Sequence, residues 1–168
     1  APYQIIFKSV YINFIPELLH SNTDQFVYEQ KEKILVRKTG NILMASLDSE
    51  QYYTDQSLYN LYLKPNKWYS NKVLLAILNS KLLNYYYNKK LITNAEVIPY
   101  IKGVHLKMFP LPHLSDRIES ELSNLVDSII QHKKQNIDTS VICNKIDALV
   151  YQLYGLTDAE IKIIEQSI

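Results

Sequence analysis

The stretch Lys33-Ile-Leu-Val-Arg-Lys-Thr-Gly-Asn-Ile-Leu-Met-Ala-Ser-Leu47 decides the class of fold. Two apolar runs, Lys33–Lys38 and Ile42–Leu47, flank Thr39-Gly40-Asn41. Gly and Asn tolerate the positive φ that a tight turn demands, so the spacing predicts a β-hairpin. Upstream, Tyr3–Lys8 and Val10–Phe14 are short strand-like runs. Downstream, Gln51–Thr54 and Leu58–Lys64 alternate as strands do, until Pro65-Asn66 ends the series.

Beyond Pro65 the period changes. Leu74, Leu75, Leu78, Leu82, Tyr85 and Tyr86 recur at helical spacing, predicting one helix from about Ser70 to Asn88. Ser80, Lys81, Asn84 and Asn88 fall on its opposite side. Pro99–Lys107 reads as extended, with Gly103 a bend, and Pro110-Leu111-Pro112 is a hard stop. The remainder is helical. Ser115 is an N-cap before the stripe Ile118, Leu122, Leu125, Val126, Ile129 and Ile130. Asn136-Ile137-Asp138 breaks the chain before Ile142, Ile146, Leu149, Val150 and Leu153, and Gly155 ends that helix. Thr157-Asp158-Ala159-Glu160 is a capping box that opens a last helix. The class is therefore α+β. A strand-rich region over 1–112, carrying one long helix, precedes a helical hairpin with a short third helix over 113–168, the two forming one compact unit.

Composition narrows the possibilities. A chain of 168 residues, 47% apolar and 21% charged, can bury a sizeable core and is not a disordered tail. Its longest uncharged apolar runs, such as Val73–Asn79, fall well short of the ~20 residues that span a membrane. A single Cys cannot form an internal disulfide and points to a reducing compartment, the cytoplasm. The first residues, Ala-Pro-Tyr, carry neither Met nor a signal-peptide pattern, as expected of a piece of a larger chain. The aromatics are skewed, with 14 Tyr against 4 Phe and 1 Trp.

The net charge of +1 hides a division. Ala1 to Pro110 carries 13 Lys or Arg and 8 Asp or Glu, whereas Leu111 to Ile168 carries 5 and 9. Lys64 to Lys107 holds eight Lys and one acid, Glu96, interleaved with Trp68, Tyr69, Tyr85, Tyr86, Tyr87 and Tyr100. Cations for phosphates beside flat rings for sugars and bases make a nucleic-acid footprint, although a basic run can equally be a solvated face.

Motifs for catalysis are missing. Three Gly leave no room for a phosphate or dinucleotide loop. His20, His105, His113 and His132 have no metal-ligand spacing, and Cys143 falls on an inward helix face beside Ile146 and Val150. Two arrays have the residue types of a metal-dependent nuclease: Asp24 with Glu29-Gln30-Lys31, and Asp147 with Glu160-Ile161-Lys162. Surface charge and helix capping account better for both.

An ordered series carries a resemblance. It runs Lys33-Ile-Leu-Val-Arg37, Ala45-Ser-Leu-Asp48, Tyr52-Tyr-Thr-Asp55 and Leu75-Ala-Ile-Leu-Asn-Ser-Lys-Leu82. It continues through Ile101-Lys102, Leu106-Lys-Met-Phe-Pro-Leu-Pro112 and Ile146-Asp-Ala-Leu-Val-Tyr-Gln-Leu-Tyr-Gly-Leu-Thr-Asp-Ala-Glu160. From about Lys31 to its end the chain resembles the C-terminal specificity, or target-recognition, domain of TaqI-like type II adenine-specific DNA methyltransferases and fused restriction–modification enzymes. In outline it also resembles type I specificity subunits, where helices follow each recognition domain as spacers. The resemblance implies a parent enzyme that methylates the exocyclic amine of adenine in a short DNA sequence. Its S-adenosylmethionine site and its Asn/Asp-Pro-Pro-aromatic motif would lie in a separate N-terminal domain. This chain has no Pro-Pro pair, and Pro65-Asn66-Lys67-Trp68-Tyr69 is a superficial echo.

On this reading the chain is not itself an enzyme, binds no cofactor or metal, and has duplex DNA and the parent's catalytic domain as partners, with no membrane. Such an enzyme must extrude its target base, so another surface has to grip the duplex. Candidate base readers are Gln51, Tyr52, Thr54, Gln56, Asn66 and Trp68, in loops of the strand-rich region. Candidate phosphate contacts are Lys31, Lys33, Arg37, Lys38, Lys64, Lys67, Lys72, Lys102 and Lys107. Of Tyr52 and Tyr53, adjacent in an expected strand, one would point inward. The acidic helices would face phosphate unfavourably, and read as a brace or docking surface. Two other classes stay open: a helical protein-interaction domain and a small metal-dependent nuclease.

Overall fold

Lys33–Arg37 (β1) and Ala45–Asp48 (β2) pair antiparallel, Ile34 opposite Leu47 and Val36 opposite Ala45, so the expected hairpin forms. The structure is a computed structural model and describes residues 1–6, 11, 13–19, 23–64 and 69–167. Leu58–Leu61 (β3) pairs antiparallel with the other side of β1, giving the order β2-β1-β3. The two-residue period of a strand places Ile34, Val36 and Ala45 on one face, where they enter the main core. Lys33, Leu35 and Asp48 share the other face, where the buried Tyr28 of a short helix, Gln25–Tyr28 (α1), lies near the Lys33 ammonium, 5.7 Å from the ring centroid.

The helices lie on the first face. They are Asn71–Asn79 (α2), Lys81–Tyr86 (α3), Gly103–Leu106 (α4), Asp116–Lys134 (α5), Ser140–Leu153 (α6) and Asp158–Glu165 (α7). Val73, Leu75 and Ile77 of α2 share one core with Leu122, Val126 and Ile129 of α5 and Ile146 and Val150 of α6. The α+β class holds, and the C-terminal hairpin with its third helix forms as expected. Asn136 turns the chain at φ 56, and Thr157 and Glu160 close the capping box. Among the described residues no helix is long and apolar enough to cross a membrane.

Several local expectations are corrected. The long helix is broken at Ser80, whose extended backbone (φ −67, ψ 154) separates α2 from α3. Its hydroxyl accepts the Leu83 N–H (3.2 Å) and donates to the Ile77 carbonyl (2.7 Å), so the break satisfies its own polar groups. The break shifts the phase of the second segment. Leu83 and Asn84 are buried, Asn84 only 7% exposed although expected on the opposite side, while Leu82 and Tyr86 pack against the core half-buried and Tyr85 does not join it. A π-helical turn, Tyr87–Leu91, follows. Residues 51–54 form no strand, because the Asp48 carboxylate captures the N–H groups of Glu50 (2.9 Å) and Tyr52 (3.0 Å) and bends the chain after β2. Pro99–Lys107 is not extended throughout, since α4 begins at Gly103. The Ser115 hydroxyl makes no capping bond. Residues 3–6, 11 and 13–14 belong to no strand, and the rest of those two N-terminal runs lies outside the described residues.

Candidate nucleic-acid interface

The strand order leaves β3 at a sheet edge, and three of the lysines considered as DNA contacts lie near its Tyr59. Tyr59 sits opposite Val36 on β1 and donates its hydroxyl to the Ile101 carbonyl (3.3 Å). The Lys38 ammonium lies over its ring, 4.6 Å from the centroid. The Ile101 N–H donates to the Lys38 carbonyl (2.9 Å), which brings Lys102 beside Lys38. Lys107 lines an open cleft of about 520 Å³ with Tyr59, Asn60, Gly103 and Val104. One acid is close by: the Asp55 carboxyl is held below its usual range by the Ser57 hydroxyl and backbone N–H, with a smaller contribution from Lys38. Cations around an aromatic ring at a strand edge can hold phosphates while offering a flat face to a sugar or base.

The expected phosphate contacts divide. Lys31, Lys64, Lys102 and Lys107 are exposed and Lys38 is half-buried. Lys33 leaves the set: its side chain is fully enclosed and forms an ion pair with the equally enclosed Asp48 (2.5 Å). The sequence suggests solvent for a Lys at a strand end, but β2 places an acid directly opposite it. Lys72 is paired with Asp127 of α5 (2.7 Å), and Arg37 turns inward to donate to the Ile42 carbonyl (3.3 Å). Lys67 lies outside the described residues.

The expected base readers are more heavily engaged. Gln51, at φ 58, donates its amide to the Glu29 carbonyl (2.8 Å). Thr54 accepts from the Asn60 amide through its hydroxyl (2.8 Å) and from the Tyr28 hydroxyl through its carbonyl (3.1 Å). Tyr52 is half-buried and lines a cleft of about 480 Å³ with Tyr3, Lys72 and Asp127. Gln56 is exposed. Asn66 and Trp68 lie outside the described residues. Tyr53 stacks on Tyr28 (centroids 4.4 Å apart) and meets Phe14 (4.6 Å), so an aromatic cluster underlies this loop.

The acidic arrays have structural partners. Asp24 caps α1 by accepting the Phe26 N–H (3.1 Å), and Glu29 accepts from Gln25 (2.7 Å). Asp147 accepts the Lys81 N–H at the start of α3 (2.8 Å), while Glu160 serves the capping box. Burial pushes the Asp147 carboxyl up to about 6, against the opposing pull of that N–H and of Lys81. Among the described residues no group of three or more His, Cys, Asp or Glu is placed to hold a metal. Nor do the residues present suit S-adenosylmethionine: the three Gly lie apart, at the hairpin turn, at the start of α4 and after α6, and no methyl-transfer step is assigned to this chain.

Tyr59 and Asn60 lie outside the residues singled out from sequence. They sit in a stretch correctly read as strand, but alternation alone does not say which strand forms the edge.

Residues 1–111 match the family model of the TaqI-like C-terminal specificity domain. The match includes the residues before Lys31, where the sequence offered little, and ends before Ile146–Glu160, where a resemblance was also read. A search of curated proteins finds no match.

Proposed function

Because the chain belongs to the TaqI-like C-terminal specificity domains, we propose that it recognises the target sequence for a type II restriction–modification adenine methyltransferase. In that role it positions duplex DNA for a catalytic domain of the same parent chain, which would supply S-adenosylmethionine and the methyl-transfer chemistry in the cytoplasm. The family match carries the reading. The lysines around Tyr59 support it, since phosphate contacts set register and supply much of the affinity.

Lys31, Lys38, Lys64, Lys102 and Lys107 are the phosphate contacts of this proposal, and Tyr52, Gln56, Asn66 and Trp68 are its base readers. The 113–168 helices serve as a brace. They cover α2 with α5 and tie it through the Lys72–Asp127 pair, and the Ser70 N–H donates to Glu119 (3.1 Å). Replacing Lys38, Lys102 and Lys107 together by Ala tests the assignment in a fluorescence-anisotropy titration of labelled duplex. Affinity should fall about tenfold or more at low salt, with the thermal midpoint within a few degrees of wild type. Unchanged affinity would remove this edge from the interface.

A further inference from the structure

The β1–β2 turn is clamped by residues distant in sequence. The Gly40 N–H donates to the Pro99 carbonyl (2.7 Å), and the Tyr87 hydroxyl donates to the Gly40 carbonyl (2.7 Å). The Leu43 N–H donates to Asn84 Oδ1 (2.7 Å), and Asn79 serves both backbone groups of Ala45 (2.8 and 3.0 Å). Arg37 holds the Ile42 carbonyl, and Gly40 lies at φ 120, where a Cβ would stand 2.4 Å from Arg37 Nη2. These bonds hold the residues on either side of Asn41, in a conformation that leaves Thr39, Asn41 and Ile42 exposed. The Asn41 amide makes no hydrogen bond among the described residues. An exposed amide on a fixed backbone loses little entropy on binding and gives up no internal partner.

Its surroundings suit a polyanion. Asn41 and Ile42 share a cleft of about 550 Å³ with Tyr85, Asn88 and Lys89, and none of its described lining residues is an acid. The Lys89 ammonium lies over the Tyr85 ring, 5.8 Å from the centroid. On the strand side, Lys38 lies over Tyr59. The turn thus stands between two lysine-over-tyrosine pairs on different elements. A planar amide presents a donor and an acceptor side by side, the pair that the N7 and N6 of adenine match in the major groove, and an aliphatic neighbour can meet a thymine methyl.

We infer that Asn41 is a specificity-determining residue that reads a base edge in the major groove, with Ile42 beside it and Lys38 and Lys89 on flanking phosphates. The inference rests on the DNA-recognition reading above and places base discrimination in the β1–β2 turn, apart from residues 51–56.

The test is selection of duplexes from a randomised pool by the full chain, followed by sequencing, for wild type, Asn41→Ala, Lys89→Ala and Gln51→Ala, with thermal unfolding as a control for fold. Asn41→Ala should unfold as wild type does and bind unselected duplex equally well, but lose preference at one base pair by about 10- to 100-fold. Lys89→Ala should weaken all duplexes alike and lower the salt slope by about 1. If wild type shows a preference that Asn41→Ala retains, or that Gln51→Ala abolishes instead, the inference is overturned while DNA recognition stands. Duplex binding by wild type without any preference also overturns it. A wild-type chain that binds no duplex at low salt overturns both.

Discussion

Lys33 and Asp48 illustrate what a single residue can conceal. Both are fully enclosed, and Asp48 also holds the N–H groups of Glu50 and Tyr52, so the pair fixes the chain as it leaves β2. Removing one member of a buried pair strands the other charge. Lys33→Met should cost about 3 kcal/mol in urea unfolding and leave the salt dependence of DNA binding unchanged; a lower salt slope with wild-type stability would restore Lys33 as a phosphate contact. Residue identity alone was misleading here, since Lys is the least buried of residue types unless paired, and the partner is set by register. Asp147 gives a pH-dependent counterpart. Its carboxyl is raised by burial from 3.8 to about 6, facing Lys81, Glu165 and Tyr151 in one cleft. Below about 4 both folded and unfolded chains hold the proton; as pH rises the unfolded chain loses it first, so this group's stabilisation is lost by the time pH passes about 6. Asp147→Asn should therefore exceed wild-type stability at neutral pH by on the order of 1–2 kcal/mol, allowing for solvent screening, with the difference vanishing near pH 4. Urea titrations at the two pH values check this, and a pH-independent difference would contradict it.

At the scale of elements, periodicity located most segments and misjudged how they join. The hairpin was legible because turn residues stood between apolar runs, and the C-terminal helices because stripe, break and capping box agreed. The helix over 70–88 was not, because Leu74 through Tyr86 satisfy one period whether or not the chain is broken. Only the buried partners of Ser80 and Asn84 show the change of phase. Ser80→Ala removes both the cap on Leu83 and the bond to Ile77 and should cost about 1–2 kcal/mol in chemical denaturation. A neutral outcome would mean that the break is imposed by packing alone. Residues 51–54 failed for a related reason: their alternation favours a strand, yet a carboxylate on the preceding strand supplies their N–H groups with a better partner. The expected loop of base readers is consequently a braced segment, and the least engaged amide of the hairpin region belongs to Asn41.

Across the whole molecule, one core runs from the sheet through α2 to α5 and α6, so the acidic helices pack on the inner side of the basic strand region. The helices stabilise from the sheet's inner face, while Lys38, Lys102 and Lys107 gather near its β3 edge. The charge division and the α+β class were legible from composition and period; the edge order was not, because it depends on pairings that no single segment encodes. The central claim is that this edge grips the duplex for a specificity domain. Its most direct measurement is the affinity of the full chain for duplex DNA between about 50 and 200 mM salt. Five lysines on phosphate predict a linear fall of log affinity against log salt with a slope of about −3 to −5. Absence of binding at the lowest salt, or an affinity that does not change across the range, would contradict it.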